Sequence, residues 1–216
     1  MSSRPTLVRP ATPSEHGAAV ELLGAAFEHD PAVSAATARA ADGAVARCAI
    51  FRSSLAATLQ EGGVVLVAVD GDAILGAAIV RDPARGHLSA TIGRVRAALA
   101  FLPLLRILDL RAITQLNDAD RASRRHAPRE PHHVLIAVGV SASARGRGVG
   151  RALVEATVDR ARADPGSWGV RLETENRGNV GRYERWGFDL ISSVEVPPVT
   201  VHVMAQPTRC EKGADL

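Results

Sequence analysis

The run Arg145-Gly146-Arg147-Gly148-Val149-Gly150 has the residue types of an anion cradle. An apolar stretch, Val134-Leu135-Ile136-Ala137-Val138-Gly139-Val140, precedes it, and a helical pattern over 149–162 follows, with Leu153, Ala156 and Ala161 on one side. A strand, a glycine-rich turn and a helix start together hold phosphate. Glycines let the backbone pass close to a bulky anion, and the first N–H groups of the helix have no acceptor inside it. Arg145, Arg147 and Arg151 add positive charge. A nucleotide P-loop needs a lysine after its last glycine, but the only lysine of the chain is Lys212. A dinucleotide fingerprint has glycines at its first, third and sixth positions, and the sixth position counted from Gly146 is Arg151. The loop also ends at residue 150 of 216, too late for half a dinucleotide fold. The pyrophosphate of coenzyme A remains, since it needs a strand before the loop and little sheet after it. A plain Arg/Gly-rich turn without a ligand is the alternative for the loop taken alone.

A second constellation lies downstream. Leu172-Glu173-Thr174 ends a short apolar run, and Asn176, Asn179, Tyr183, Glu184, Gly187 and Phe188 follow, in the pattern Asn-x-x-Asn-x-x-x-Tyr-Glu-x-x-Gly-Phe. With Val138-x-Val140 and Arg-x-x-Gly-x-Gly, this resembles the GNAT superfamily of N-acetyltransferases, closely over 133–188 and loosely over the whole chain. A narrower resemblance is to the puromycin N-acetyltransferase group of actinobacteria. It is carried by Ala25-Ala26-Phe27, Pro31, Glu130-Pro131, Tyr183-Glu184-Arg185 and Val194-Glu195-Val196-Pro197. It is poor over 84–125, the part that would shape an acceptor pocket.

The resemblance implies direct attack of an amine on the thioester of acetyl-CoA. It implies that the central strand splays from its neighbour near 138–140, so that the backbone of Val138, Gly139 and Val140 pairs with the pantetheine arm like an added strand. Arg145, Gly146, Arg147, Gly148, Val149 and Gly150 would hold the pyrophosphate, and Asn179, placed in the turn before the last helix, would hold the arm. Tyr183, the sole tyrosine, stands at the family's acid position. A phenol near 10 can protonate a thiolate whose ordinary value is near 8.5. Glu173 is the candidate proton acceptor, a solvated strand residue being the alternative; His132 and His133 open the central strand. The position before Tyr183, often aromatic in the family, is Arg182. Without a clear strong base the site favours a weakly basic amine, because neutralising a lysine-like amine near 10.4 costs about 3 kcal/mol more than an α-amine near 8. The expected acceptor is a small-molecule amine, with a non-catalytic acyl-CoA sensor or a peptide N-acetyltransferase as the other readings. The apolar segment 91–116 suggests a covered acceptor pocket over an open peptide groove.

Composition narrows the class. The chain has 216 residues, enough for one domain spanning 1–216 with a proper core. Mean hydropathy is near zero, and all but one of its 26 basic residues are arginine, balanced to a net charge of +3. Aromatics are 3 %, so nothing interleaves with Arg121, Arg124, Arg125 and Arg129 for base stacking, and no nucleic-acid partner is expected. Cys48 and Cys210 lie far apart without ligand spacing, so neither a metal nor a disulfide framework is expected. The first 20 residues lack an apolar signal core, and the longest apolar run, 97–105, is broken by Pro103. The reading is a cytoplasmic monomer or homodimer without membrane contact.

The elements that must position these residues are of mixed α/β type. The expected fold is the GNAT fold: a mostly antiparallel, mixed sheet of six to seven strands, flanked by helices and splayed at its centre. Strands are expected at 6–9, 64–69, 74–80, 133–140, 169–174, 189–196 and 199–205. Thr12-Pro13-Ser14-Glu15 reads as a capping box opening a helix to about residue 27. Further helices are expected at 45–60, with Ile50, Leu55 and Leu59 inward, at 91–122 with a break at Pro103, at 149–162 and at 178–186. Residues 123–132 are expected as a loop.

Overall fold

The computed structural model describes residues 6–83 and 98–209. The strands are β1 (Leu7–Pro10), β2 (Val64–Asp70), β3 (Ala73–Arg81), β4 (His133–Val140), β5 (Gly169–Thr174), β6 (Asp189–Val196) and β7 (Val199–Pro207). The helices are α1 (His16–Ala26), α2 (Pro31–Thr37), α3 (Gly43–Gln60), α4 (Leu110–Arg125), α5 (Val149–Ala163) and α6 (Arg177–Glu184). One seven-stranded sheet runs in the order β1-β2-β3-β4-β5-β7-β6, and only β4 and β5 pair in parallel.

Strand alternation separates the two faces. Val65, Val67 and Val69 of β2 pack against α1, α2 and α3, whereas Leu66 and Ala68 turn to the opposite face under α5. On that face Val149, Leu153, Val154 and Val158 of α5 meet Leu135, Val170 and Leu172 of the central strands. Helix α4 covers the other end of the α1–α3 face, with Ala119 on Val201 and Val203 of β7.

The helices begin where short polar side chains cap them. Asp30 accepts from the N–H groups of Ala32 and Val33 (both 3.1 Å), Asp42 from those of Ala44 and Val45, and Asp109 from that of Ala112. Helix α2 was not expected, although Asp30-Pro31 carries the same cap-and-proline signature as Thr12-Pro13. Pro103 falls in a 3-10 turn, Leu102–Arg106, so the long apolar segment is broken there, as expected; its part over 91–97 lies outside the described residues. Residues 123–125 continue α4 and do not start a loop. Leu59, one residue from the end of α3, is 39 % exposed, against the expectation; Ile50 and Leu55 are buried.

The central pair carries the irregularity on which the site depends. Against β3, Ile79 pairs with Ala137 and Val80 with Leu135, so Ile136 is an extra residue, a β-bulge. Against β5, the parallel pairing covers His133, Val134 and Leu135 and goes no further. Strand β4 therefore leaves β5 at the bulge while staying on β3 to Val140. Gly139 is not the bulge residue: its missing Cβ makes room for α1, since a Cβ there would stand 2.9 Å from Ala26 Cβ and 3.0 Å from Leu23 Cδ2. Gly139→Ala is therefore expected to overpack the α1–β4 contact and cost about 1–3 kcal/mol, read as a lower urea midpoint at unchanged slope.

Candidate active site

Two features frame the site: the edge that β4 turns toward β5 beyond Leu135, and the start of α5. Residues 136–140 of β4 have no strand partner on that edge among the described residues. Val138 lines the gap, Val140 packs toward α5, and Gly139 is held by α1. At the start of α5, Gly146 and Gly148 have φ of 77° and 81°, with open space where a Cβ would be, so backbone angle and not crowding calls for glycine. Ala152 N–H donates to the carbonyl of Gly148 (3.0 Å), which leaves the N–H groups of Val149, Gly150 and Arg151 with no acceptor inside the helix. Gly148 offers no side-chain cap, and the Val149 side chain is buried, so the backbone is what the loop presents. Arg147 lies 3.8 Å from Asp70 and Arg151 pairs with Glu155 at 2.7 Å, whereas Arg145 has no ion pair among the described residues.

Asn179 and Tyr183 stand four residues apart on α6 and so share one face of it. Both line a cavity of about 210 Å³ that also takes in Leu135, Val138 and Thr174 at the fork. Asn179 is not in the turn before the helix but inside its first turn. The cap is Asn176, which accepts from Gly178 N–H (2.9 Å). The Asn179 amide donates to Thr174 Oγ1 (3.3 Å) and accepts from Arg182 Nη1 (2.7 Å), tying α6 to the end of β5. Tyr183 is buried, edge-on to Trp186 (5.5 Å between centroids) and Phe188 (5.9 Å). Trp186 thus supplies aromatic packing that the preceding position, Arg182, lacks. Burial pushes the Tyr183 phenol up to about 12, with the nearby Asp30 charge acting the same way and Arg182 against it. The phenol therefore keeps its proton at neutral pH.

Carboxylates occupy the α4 side of the same cavity. Alternation along β5 points Arg171 and Glu173 away from Leu172, toward α4. Arg171 is fully buried and its Nη1 donates to Ser123 Oγ and to Glu173 Oε2 (3.3 Å). Burial pushes the Glu173 carboxyl up, while Arg171 and a Ser123 hydrogen bond oppose that shift. Glu173 is thus in the cavity wall, with its charge engaged by Arg171. Asp30 and Asp120 also line the cavity.

Glu175 was missed. It lies past the end of β5, and burial, followed by the charges of Asp30 and Glu173, pushes its carboxyl up to about 8. The available signal was period-two spacing from Arg171 through Glu173 to Glu175. His132 and His133 are not part of this cavity; His133 is buried at the far end of β4, with Nδ1 at 3.0 Å from Ser167 Oγ. Among the described residues no group of three or more His, Cys, Asp or Glu is arranged to hold a metal, and no helix is long and apolar enough to cross a membrane.

Residues 37–188 match the acetyltransferase (GNAT) family. The chain belongs to the GNAT acetyltransferases. Among solved structures, the GNAT chain is similar to a histone acetyltransferase HPA2 and related acetyltransferase of Corynebacterium glutamicum, at 24 % identity and a TM-score of 0.71 over 96 % of this chain and 99 % of that one. It is similar to arylalkylamine N-acetyltransferase 2 of Aedes aegypti, at 14 % identity and 0.69 over 95 % and 100 %. It is also similar to yncA of Salmonella typhimurium, a structure with its cofactor acetyl-CoA, at 18 % identity and 0.56 over 98 % and 99 %. These likenesses establish the fold. GNAT acetyltransferases use acetyl-CoA, and the features of this chain suit that molecule: an unpaired strand edge for an amide-bearing arm, and free helix N–H groups for phosphates.

The elevated Glu175 value has a stability consequence. A carboxyl raised to about 8 in the folded chain, against about 4.3 unfolded, contributes fully below the unfolded value and loses that contribution as pH rises toward 8. Glu175→Gln removes the group, so its melting temperature is expected to exceed the wild-type value at pH 8 and to match it near pH 4, as read by thermal unfolding at both.

Proposed function

We propose that this GNAT chain is an acetyl-CoA-dependent N-acetyltransferase acting on the amine of a small molecule. The observation that carries this reading is the position of Tyr183: a protonated phenol on the wall of the cavity where β4 parts from β5. A sensor that only bound acyl-CoA would have no use for a proton donor there. The resemblance to the puromycin N-acetyltransferase group supports the same chemistry, and says less about the acceptor because it is weakest over 84–125.

In this reading Arg145 and the N–H groups at the start of α5, with Gly146, Arg147, Gly148 and Gly150 shaping the turn, hold the pyrophosphate. The free edge at Val138, Gly139 and Val140 pairs with the pantetheine arm, and Asn179 steadies the end of β5 beside it. Bound there, acetyl-CoA supplies an activated acyl group. Tyr183 gives its proton to the departing sulfur, and burial keeps that proton in place until negative charge develops nearby. Glu173, held by Arg171, forms part of the cavity wall on the acceptor side.

Tyr183→Phe is expected to lower kcat by about 10²–10⁴ while leaving the acetyl-CoA Kd within twofold, as measured by thiol release and calorimetry. Gly148→Ala forces a left-handed angle on a side chain, at about 1–2 kcal/mol. It is expected to weaken acetyl-CoA binding roughly tenfold in the same titration.

A further inference from the structure

We infer that Glu175 accepts the proton of the acceptor amine and that this amine is a compact cation with an apolar body, of phenethylamine size. The inference rests on the acetyltransferase reading above and names its missing base and its substrate class.

The 210 Å³ cavity is lined on its far side by Phe27, Phe51, Ile50, Val33 and Leu116, with the two phenylalanine rings tilted against each other at 4.8 Å. That lining suits an aryl or alkyl body. The thioester end enters at the Val138 and Tyr183 side, so only part of the 210 Å³ is left for the acceptor, which limits it to a compact molecule. The polar side of the cavity is acidic, so an amine enters as the ammonium form.

An ammonium cannot attack until it loses a proton, and the acceptor of that proton must return it to solvent after each turnover. Four carboxylates line the cavity, and Asp120 is occupied by Arg124, whose Nε donates to it at 2.7 Å. Asp30 is occupied in capping α2, where it accepts two backbone N–H groups. Glu173 is occupied by Arg171 and Ser123. Among the described residues, Glu175 alone also lines a second, larger groove of about 670 Å³, between α6 and the β6–β7 hairpin. A proton taken inside can leave through that groove.

The groups facing Glu175 are Asp30 from α2, Glu173 from β5, Asp120 from α4, Tyr183 and Arg177 from α6, and Glu195 and His202 from β6 and β7. Burial, followed by the negative charges of Asp30 and Glu173, raises the carboxyl to about 8. A base at that value narrows most of the gap to an alkyl amine near 10, which an ordinary carboxylate near 4.3 leaves wide. The site is therefore not restricted to weakly basic amines.

The step balances as follows. One proton of the ammonium passes to the Glu175 carboxylate, and the freed nitrogen lone pair attacks the thioester carbonyl. The N–C bond forms and the C–S bond breaks; the sulfur takes the Tyr183 proton, and the second nitrogen proton leaves to solvent. Tyr183 is reprotonated from solvent and Glu175 releases its proton into the groove. The sum is an acetamide, a free thiol and one proton.

The test measures thiol release from acetyl-CoA with phenethylamine, puromycin and spermidine as acceptors, against pH, for the wild type, Glu175→Gln and Glu173→Gln. Acetyl-CoA Kd is measured alongside. The expected result is the highest kcat/KM with phenethylamine and a rise through an ionisation near pH 8. In Glu175→Gln that ionisation should vanish and kcat/KM should fall about 10²–10⁴-fold with the acetyl-CoA Kd unchanged; Glu173→Gln should keep it. Turnover of puromycin or spermidine in preference to phenethylamine overturns the substrate class. A Glu175→Gln variant with wild-type rate and pH profile overturns the role of Glu175 while leaving the acetyltransferase reading intact. Tight acetyl-CoA binding without thiol release for any amine overturns that reading, and this inference with it.

Discussion

The site depends on one break in hydrogen bonding. At Ile136 an extra residue enters β4, and from there the strand can no longer lie parallel to β5. Its other edge stays paired with β3 to Val140, so the strand bends without coming loose. A continuous ladder would have sealed the centre of the sheet. The bulge leaves backbone donors and acceptors beside a cavity, groups that a folded chain rarely leaves unsatisfied. In the proposed reading they receive the amide-bearing arm of acetyl-CoA.

The gap also connects two chemically different faces. On the α5 and α6 face lie the phosphate-type loop, the buried α5 core and Tyr183. On the α4 face lie Arg171, Glu173 and Ser123. Alternation in β5 is what divides them: Leu172 packs under α5, while Arg171 and Glu173 point to α4. In the proposed reading the acyl donor and the amine approach one point from these opposite sides.

Burial sets the protonation states at that point. Tyr183 and Glu175 are both pushed toward their neutral forms by loss of water, and Asp30 adds to both shifts. Asp30 itself is held in place by capping α2, so a helix-start interaction fixes a charge in the cavity. Burial pushes Glu173 the same way, and Arg171 and Ser123 oppose that shift. Two glutamates separated by one residue, Glu173 and Glu175, thus meet different neighbours, a buried guanidinium for the first and further carboxylates for the second.

Much of this was legible in the amino-acid order because it is local. Strand periodicity, caps, the positive-φ glycines at 146 and 148 and the four-residue spacing of Asn179 and Tyr183 all act over a few residues, and the family resemblance extended them to a seven-strand sheet. Helix α2 was equally local, in Asp30-Pro31, and was overlooked. What tertiary structure alone decided are the relations between distant segments. The bulge at Ile136 exists only against the register of β3, and the packing role of Gly139 only against α1. The engagement of Glu173 involves Ser123 from α4, and the elevation of Glu175 comes from burial, with Asp30 from the start of α2 adding to it. Charge and burial depend on what surrounds a side chain, and no single stretch of sequence contains its own surroundings.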